Sequence, residues 1–294
     1  MAALEGAATV SINASRLRSD ANGFSRLARL HHEIEATSDA TIHVDMSKLV
    51  WMDGHLASAM LIVARRAQSK NRIVRFANTK PAVKSVLQRN GLFKNTVEDR
   101  AGTTMPVREF GLEEAIEFSR YARRHLARRE MPKMSAALQN KFYEGVDELF
   151  ANSALHSKAT IRLVVCGQFY PRTKVLDFSI VDGGRSIPGS LKESGIVQRS
   201  DADAIDWAMV AGNTTRQGDI PGGLGSKVLR EFIALNGGKL TIVSGAGFWV
   251  QSPKGVSKEA LSHAYPGTIV VFEINTNDRN LYDLVGGPNA KEIW

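Results

Sequence analysis

The chain has 294 residues, 43% of them hydrophobic, and a formal net charge of +8, which is enough apolar material for two ordinary domains. A single cysteine, Cys166, excludes an internal disulfide, and no His/Cys cluster has zinc-ligand spacing, so a reducing compartment, the cytoplasm, is the expected location. No apolar run approaches the roughly twenty residues of a membrane helix. The start, Met1-Ala2-Ala3-Leu4-Glu5, lacks the basic-then-apolar order of a secretory leader. The positive charge favours acidic partners but does not choose among nucleotide phosphates, nucleic acid and protein.

Residues 1–100 alternate short apolar runs with amphipathic stretches. Ala8 to Ile12, Thr41 to Asp45 and Ile73 to Phe76 have the length and β-branched content of strands. Gly23 to Ala36, Gly54 to Gln68 and Pro81 to Asn90 carry apolar residues at helical spacing, with Pro81 suited to a first turn and Gly91 to a stop. The alternation predicts a small α/β domain. Val44-Asp45-Met46-Ser47-Lys48-Leu49-Val50-Trp51-Met52-Asp53-Gly54 and Val86-Leu87-Gln88-Arg89-Asn90-Gly91-Leu92-Phe93 resemble the strand-to-helix entry and the closing helix of STAS domains, the fold of anti-sigma-factor antagonists. Where those antagonists carry a phosphorylatable serine this chain has Gly54, so the family's phosphoswitch cannot operate there. Ser58 lies about one helical turn later and is expected to point elsewhere.

Residues 101–135 read as a bridge, with a loop-like Ala101-Gly102-Thr103-Thr104-Met105-Pro106 followed by a helix from Leu112 to Glu130. Arg120, Arg123, Arg124, Arg128 and Arg129 crowd its end, with His125 and Lys133 nearby. A solvated helix whose cations suit its own C-terminal dipole is the favoured reading. A docking surface for nucleic acid or an acidic partner over 120–133 is the alternative.

A second unit, 136–294, follows. A helix from Met134 to Leu155 has the apolar stripe Leu138, Phe142, Val146, Leu149. Glu144, Glu148, Asn152 and His156 recur every fourth residue on its other side, stacked along one slowly rotating face without the basic partners usual on a structural helix. Magnesium takes hard oxygen ligands and often only one or two from protein. Asn152 can supply one, and Glu148 could accept a proton from a water at a terminal phosphate. The strand Val175 to Val181 delivers Asp182 into the turn Gly183-Gly184. A carboxylate there can accept the exocyclic amino hydrogen of adenine, whereas guanine presents an oxygen. Glycines permit backbone angles and approaches a side chain forbids. In Asp219-Ile220-Pro221-Gly222-Gly223-Leu224-Gly225-Ser226-Lys227, glycines open a helix and offer N–H groups to an anion. Lys227 could reach a phosphate or face solvent. The intervening stretch, with a helix over Ala204 to Ala211 and Gly212-Asn213-Thr214-Thr215-Arg216-Gln217, suits a lid. Lys239 to Val243 and Thr268 to Phe272 read as strands.

Glu148-Leu149-Phe150-Ala151-Asn152, Asp182-Gly183-Gly184-Arg185-Ser186-Ile187-Pro188 and Gly222-Gly223-Leu224-Gly225 are each weak alone; their order and separations of about thirty to forty residues make the set specific. Together they resemble the N, G1 and G2 boxes of the GHKL ATPases, among them gyrase B, heat-shock chaperones, histidine kinases and anti-sigma-factor kinases. The resemblance covers roughly 136–276 and implies a Bergerat-type α/β sandwich with a mixed sheet. It implies ATP and Mg2+ as ligands, Glu148 as base, Asn152 on the metal, and His156, Asp182 and Thr268 around adenine. It also puts Gly184, Ile187, Gly223, Leu224 and Gly225 at the nucleotide. Leu155 stands where relatives often have a phosphate-binding lysine; Arg216 of the lid is the candidate replacement. Ser186 and Pro221 replace family glycines.

A P-loop is absent, and Leu30-His31-His32-Glu33-Ile34, faintly like a phosphoacceptor box, lies inside the first domain and reads as a chance match. The leading expectation is an ATP-binding regulator of the anti-sigma-kinase type, acting through its STAS-like half, a protein partner or self-association. A serine/threonine kinase is the alternative enzyme. A nucleotide-driven ATPase near nucleic acid is weakened because only a short tail, Asn277 to Trp294, follows the last strand.

Overall fold

The N-terminal third folds as the alternation predicts. The computed structural model describes residues 7–210, 213 and 224–283. Strands β1 (Ala7–Ser11) and β2 (Arg16–Leu17) precede helix α1 (Ala21–Ala36), which Asp20 caps through its side chain. Strand β3 (Thr41–Asp45) and the short β4 (Trp51–Met52) lead into a single 3-10 turn, Gly54–Leu56, then α2 (Ala57–Gln68), β5 (Ile73–Ala77) and α3 (Pro81–Arg89). β1, β3 and β5 form a parallel sheet in the order β1-β3-β5, and β2 pairs in parallel with β4.

The segment expected to bridge contributes to a second sheet. Strand β6 (Thr104–Phe110) begins inside the stretch that reads as a loop in the sequence, and the basic helix α4 spans Ala115–Leu126, shorter than expected. β7 (Lys133–Met134) and α5 (Ala136–His156) follow, the latter capped by Ser135. Then come β8 (Leu163–Tyr170), β9 (Val175–Asp182), α6 (Ile187–Glu193), α7 (Asp201–Ala208) and α8 (Leu224–Leu235). The long strands β10 (Lys239–Ser252) and β11 (Gly255–Asn275) form a hairpin, and β12 (Leu281–Tyr282) pairs with β7.

The architecture is mixed α/β, but the large sheet differs from expectation. Its order is β10-β11-β9-β8-β6 and every pairing in it is antiparallel, so the expected mixed sheet is corrected. The physical reason is connectivity. β8 to β9 and β10 to β11 are joined by short turns, which only antiparallel neighbours allow.

Both faces of this sheet are covered, and alternation along β9 shows how. Leu176, Phe178 and Ile180 join α4, α5 and α8 in one core with Phe118, Phe142, Phe150 and Phe232. Val181, with Val164 and Cys166 of β8 and Ile269 and Val271 of β11, joins the other core, which is built mainly from residues 10–87. The N-terminal unit is therefore seated on the back of the large sheet and shares its core. A helix–sheet–helix–sheet stack results, with side chains of both faces of the large sheet buried. No described helix is long and apolar enough to cross a membrane.

Candidate functional site

Strand register assembles the centre of the site. Asp182 ends β9, and the β9–β11 ladder puts Thr268 directly opposite it. Asp182 is 2% exposed. Burial pushes its carboxyl up to about 7, against the opposing hydrogen bonds from the Gly184 N–H and from the backbone and hydroxyl of Thr268. The Gly184 N–H lies 3.0 Å from Asp182 Oδ1. The Gly184 N–H occupies one of about four lone-pair positions that a carboxylate offers, and Thr268 stands opposite it in the ladder.

A serine that the sequence reading missed completes the network. Ser244 Oγ is 2.9 Å from Thr268 Oγ1 and accepts the Ile187 N–H at 2.8 Å, while its own position above Gly267 brings it 3.3 Å from that carbonyl oxygen. Ser244 is fully buried. The signal available was a lone hydroxyl at the end of Leu240-Thr241-Ile242-Val243-Ser244, just before Gly245.

The end of α5 meets this turn. Arg185 donates from its backbone to Ser157 O at 2.5 Å and from Nη2 to His156 O at 3.1 Å, and it pairs with Glu193. A Cβ on Gly184 would collide with the Ser157 backbone, so the closure requires glycine there. Gly267, at φ +128°, is likewise pressed against the Asp182 backbone. Glu148, Asn152 and His156 are half-buried at four-residue intervals along α5, and each engages another group. Glu144, expected to lack a basic partner, pairs with Lys141 at 2.5 Å, and Leu155 is 61% exposed.

Helix α8 packs along α5 in the opposite direction. Phe232, late in α8, meets Phe142, early in α5, at 5.5 Å between ring centroids, and Tyr282 beside β7 contacts Phe232 as well. The N-terminus of α8 is therefore directed toward the half of α5 that carries Glu148, Asn152 and His156. Leu224 and Gly225 are its first residues. Gly223 and Arg216 lie outside the described residues. Lys227 is exposed and 3.8 Å from Glu231.

Beside the turn, a cavity of about 480 Å3 opens between α6, α7 and Gly245, with Lys192 and Arg199 among its lining residues. Neither Asp182 nor Thr268 lines it. Among the described residues no cluster of three His, Cys, Asp or Glu side chains could hold a metal. On α4, Arg123 is tied to Asp147 at 3.1 Å and lies over Tyr143, and Arg120 and Arg124 are exposed; just past its end, Arg128 lies over Phe169 near Glu130 and Arg129 is exposed.

At the other end of β9 sits the Gly54 turn. Gly54 is buried, its N–H donates to Tyr170 Oη at 2.9 Å and its carbonyl accepts from Asn90 at 3.1 Å. A Cβ on Gly54 would lie 2.8 Å from Gln168 Oε1. His55 is fully buried, 3.2 Å from the Asp177 carboxylate. Burial opposes its charged form, but Asp177, helped by Asp53 and Glu273, outweighs that and raises its titration above the ordinary histidine value. Ser58 is buried and shares a 2.8 Å hydrogen bond with Ser179.

The chain is similar to the histidine kinase domain of the blue-light activated histidine kinase EL346 from Erythrobacter litoralis, at 11% identity. The alignment covers 87% of this chain and 94% of that one with a TM-score of 0.28. A likeness at that score assigns neither fold nor function. No protein-family model matches the chain, and no curated protein matches it.

Proposed function

We propose that this chain is an ATP-binding regulatory protein with a magnesium-dependent site of the GHKL type. The observation that carries the reading is the Asp182 carboxylate, buried opposite Thr268 at the end of its strand and held by the Gly184 N–H. A carboxylate at a strand end suits the exocyclic amino group of adenine as its acceptor. Ile187 and Gly184, held by Ser244 and by Ser157 respectively, would border the base, and His156 would lie at its edge. Asn152 would supply a carboxamide oxygen to magnesium, whose chemistry when bound is to neutralise phosphate charge. The N-terminus of α8 would meet the phosphates with the N–H groups of its first turn, and Gly223 and Arg216 are assigned there from sequence alone. Glu148 would hold the proton taken from the attacking group.

The N-terminal unit, STAS-like in its sequence, would serve as a fixed element and not as a phosphoacceptor. Gly54 has no hydroxyl, and burial of Ser58 supports this, because a kinase cannot reach a hydroxyl packed inside the interface. Nucleotide state would act through the segment between α7 and α8 on a partner protein or a second copy.

Incubation of the full chain with magnesium and γ-labelled ATP, with and without cell extract, tests this. Retained nucleotide is the expected result, with any turnover lost in Glu148→Ala while binding persists. Label on a second protein identifies a kinase, free phosphate an ATPase, and retention alone a nucleotide sensor. Failure of the intact chain to retain ATP would refute the site.

A further inference from the structure

The 3-10 turn Gly54–Leu56 and helix α2 that follows it lie along the back of β9 and touch it and the glycine turn beyond it. His55 meets Asp177, Ser58 meets Ser179, and Ile62 and Arg66 meet Gly183. The helix positions 55, 58, 62 and 66 share one face at helical spacing, while 177 and 179 are alternate residues on one face of the strand. Tyr265 of β11 adds a cross-tie, donating to Ala59 O at 3.0 Å. One face of α2 thus runs from the buried Gly54 turn to the glycine turn that holds Asp182.

The contact at the far end is specific. Arg66 Nη1 donates to the Gly183 carbonyl at 3.2 Å, and the N–H of the same peptide unit, that of Gly184, donates to Asp182 Oδ1 at 3.0 Å. A trans peptide is planar with its C=O and N–H pointing in opposite directions. Arg66 therefore grips one end of a plate whose other end holds the Asp182 carboxylate. A cation on the carbonyl also polarises the amide and strengthens its N–H as a donor. Ile62 Cγ2 stands 3.1 Å from where a Cβ on Gly183 would lie, so the plate is packed from the same helix.

We infer that Arg66 is a positioning residue for base recognition at the ATP site, by which the N-terminal unit sets the aim of Asp182 through the Gly183–Gly184 peptide. The inference rests on the nucleotide reading above. It makes the N-terminal unit part of the nucleotide site's specificity, although none of its residues is placed at the ligand.

The test is titration of the full chain with Mg-ATP and Mg-GTP, comparing wild type, Arg66→Met, Arg66→Lys and Asp182→Asn. Arg66→Met is expected to weaken ATP about tenfold, equivalent to about 1.4 kcal/mol, and to shrink the preference for ATP over GTP. Arg66→Lys, which keeps a cationic donor, should stay within about threefold of wild type. A merely structural arginine would leave the ATP/GTP ratio unchanged. If Asp182→Asn leaves ATP affinity intact, the nucleotide reading fails. If Asp182→Asn weakens ATP while Arg66→Met binds ATP with wild-type affinity and preference, the positioning role alone is overturned. Should Arg66→Met not fold, Arg66→Gln, which loses the cation and the reach to the Gly183 carbonyl, decides: an ATP/GTP preference that shrinks supports the role and an unchanged one contradicts it.

Discussion

The two faces of the large sheet are packed with different chemistry. The face under α4, α5 and α8 is almost wholly apolar, with Phe178 stacked on Phe272 at 5.2 Å and Phe118 on Phe150 at 4.3 Å. The face under α2 is apolar over Val164, Cys166 and Val181 but carries a buried polar line, His55, Asp177, Ser58 and Ser179, ending at Arg66 and Gly183. Apolar packing is non-directional and tolerates sliding, whereas buried polar pairs are costly when misaligned. The first face supplies stability and the second fixes register between the N-terminal unit and the strand that delivers Asp182.

The largest effect belongs to the apolar face. Phe178→Ala removes a fully buried ring packed on Phe272 and Tyr121 and should cost about 3 to 5 kcal/mol in urea unfolding. A loss under about 1 kcal/mol would show that this core is not the main source of stability. Asp177→Asn should cost less, about 1.5 to 3 kcal/mol at pH 6, and its cost should depend on pH. His55 titrates above the ordinary histidine value when folded, so its charged pairing contributes fully below the unfolded value and is lost as pH rises through the folded one. The penalty of Asp177→Asn should therefore shrink as pH rises through the folded-state value, as read from unfolding midpoints over an alkaline series. A pH-independent penalty would mean that His55 and Asp177 do not act as a charge pair.

What the sequence disclosed and what it hid follow the same division. α5 was legible because Leu138, Phe142, Val146 and Leu149 hold helical spacing over many turns, and β9 because Leu176, Phe178 and Ile180 alternate up to the turn Asp182-Gly183-Gly184. β6 was hidden because Pro106 signals a loop, whereas in the fold it sits at a register shift on an edge strand, where the missing N–H is harmless. The hairpin β10–β11 was read only in part, since Gly245, Gly247 and Pro266 look like terminators and instead mark shifts within long strands. The site followed the same rule. Asp182 and Thr268 were named from local motifs, and strand register brought them face to face. Ser244 and Arg66 belong to no local motif, because their partners lie more than twenty residues away. The seating of the N-terminal unit on the sheet is a long-range property that no window of sequence contains.

The central claim is best tested by calorimetric titration of the full chain with Mg-ATP, wild type against Asp182→Asn, from pH 6 to pH 8. Burial raises the Asp182 carboxyl to about 7, so the ionised acceptor fades below that value and affinity should fall as pH is lowered through it. Asp182→Asn should weaken binding at pH 8 by roughly 10- to 150-fold, the equivalent of a charged hydrogen bond of about 1.5 to 3 kcal/mol, and should flatten the pH dependence. The raised folded-state value also means that stability falls as pH rises from the unfolded carboxylate range toward 7, so the asparagine variant should unfold no earlier than wild type at pH 8. Unchanged ATP affinity in a folded Asp182→Asn protein, or no ATP binding by the wild type, would contradict the account.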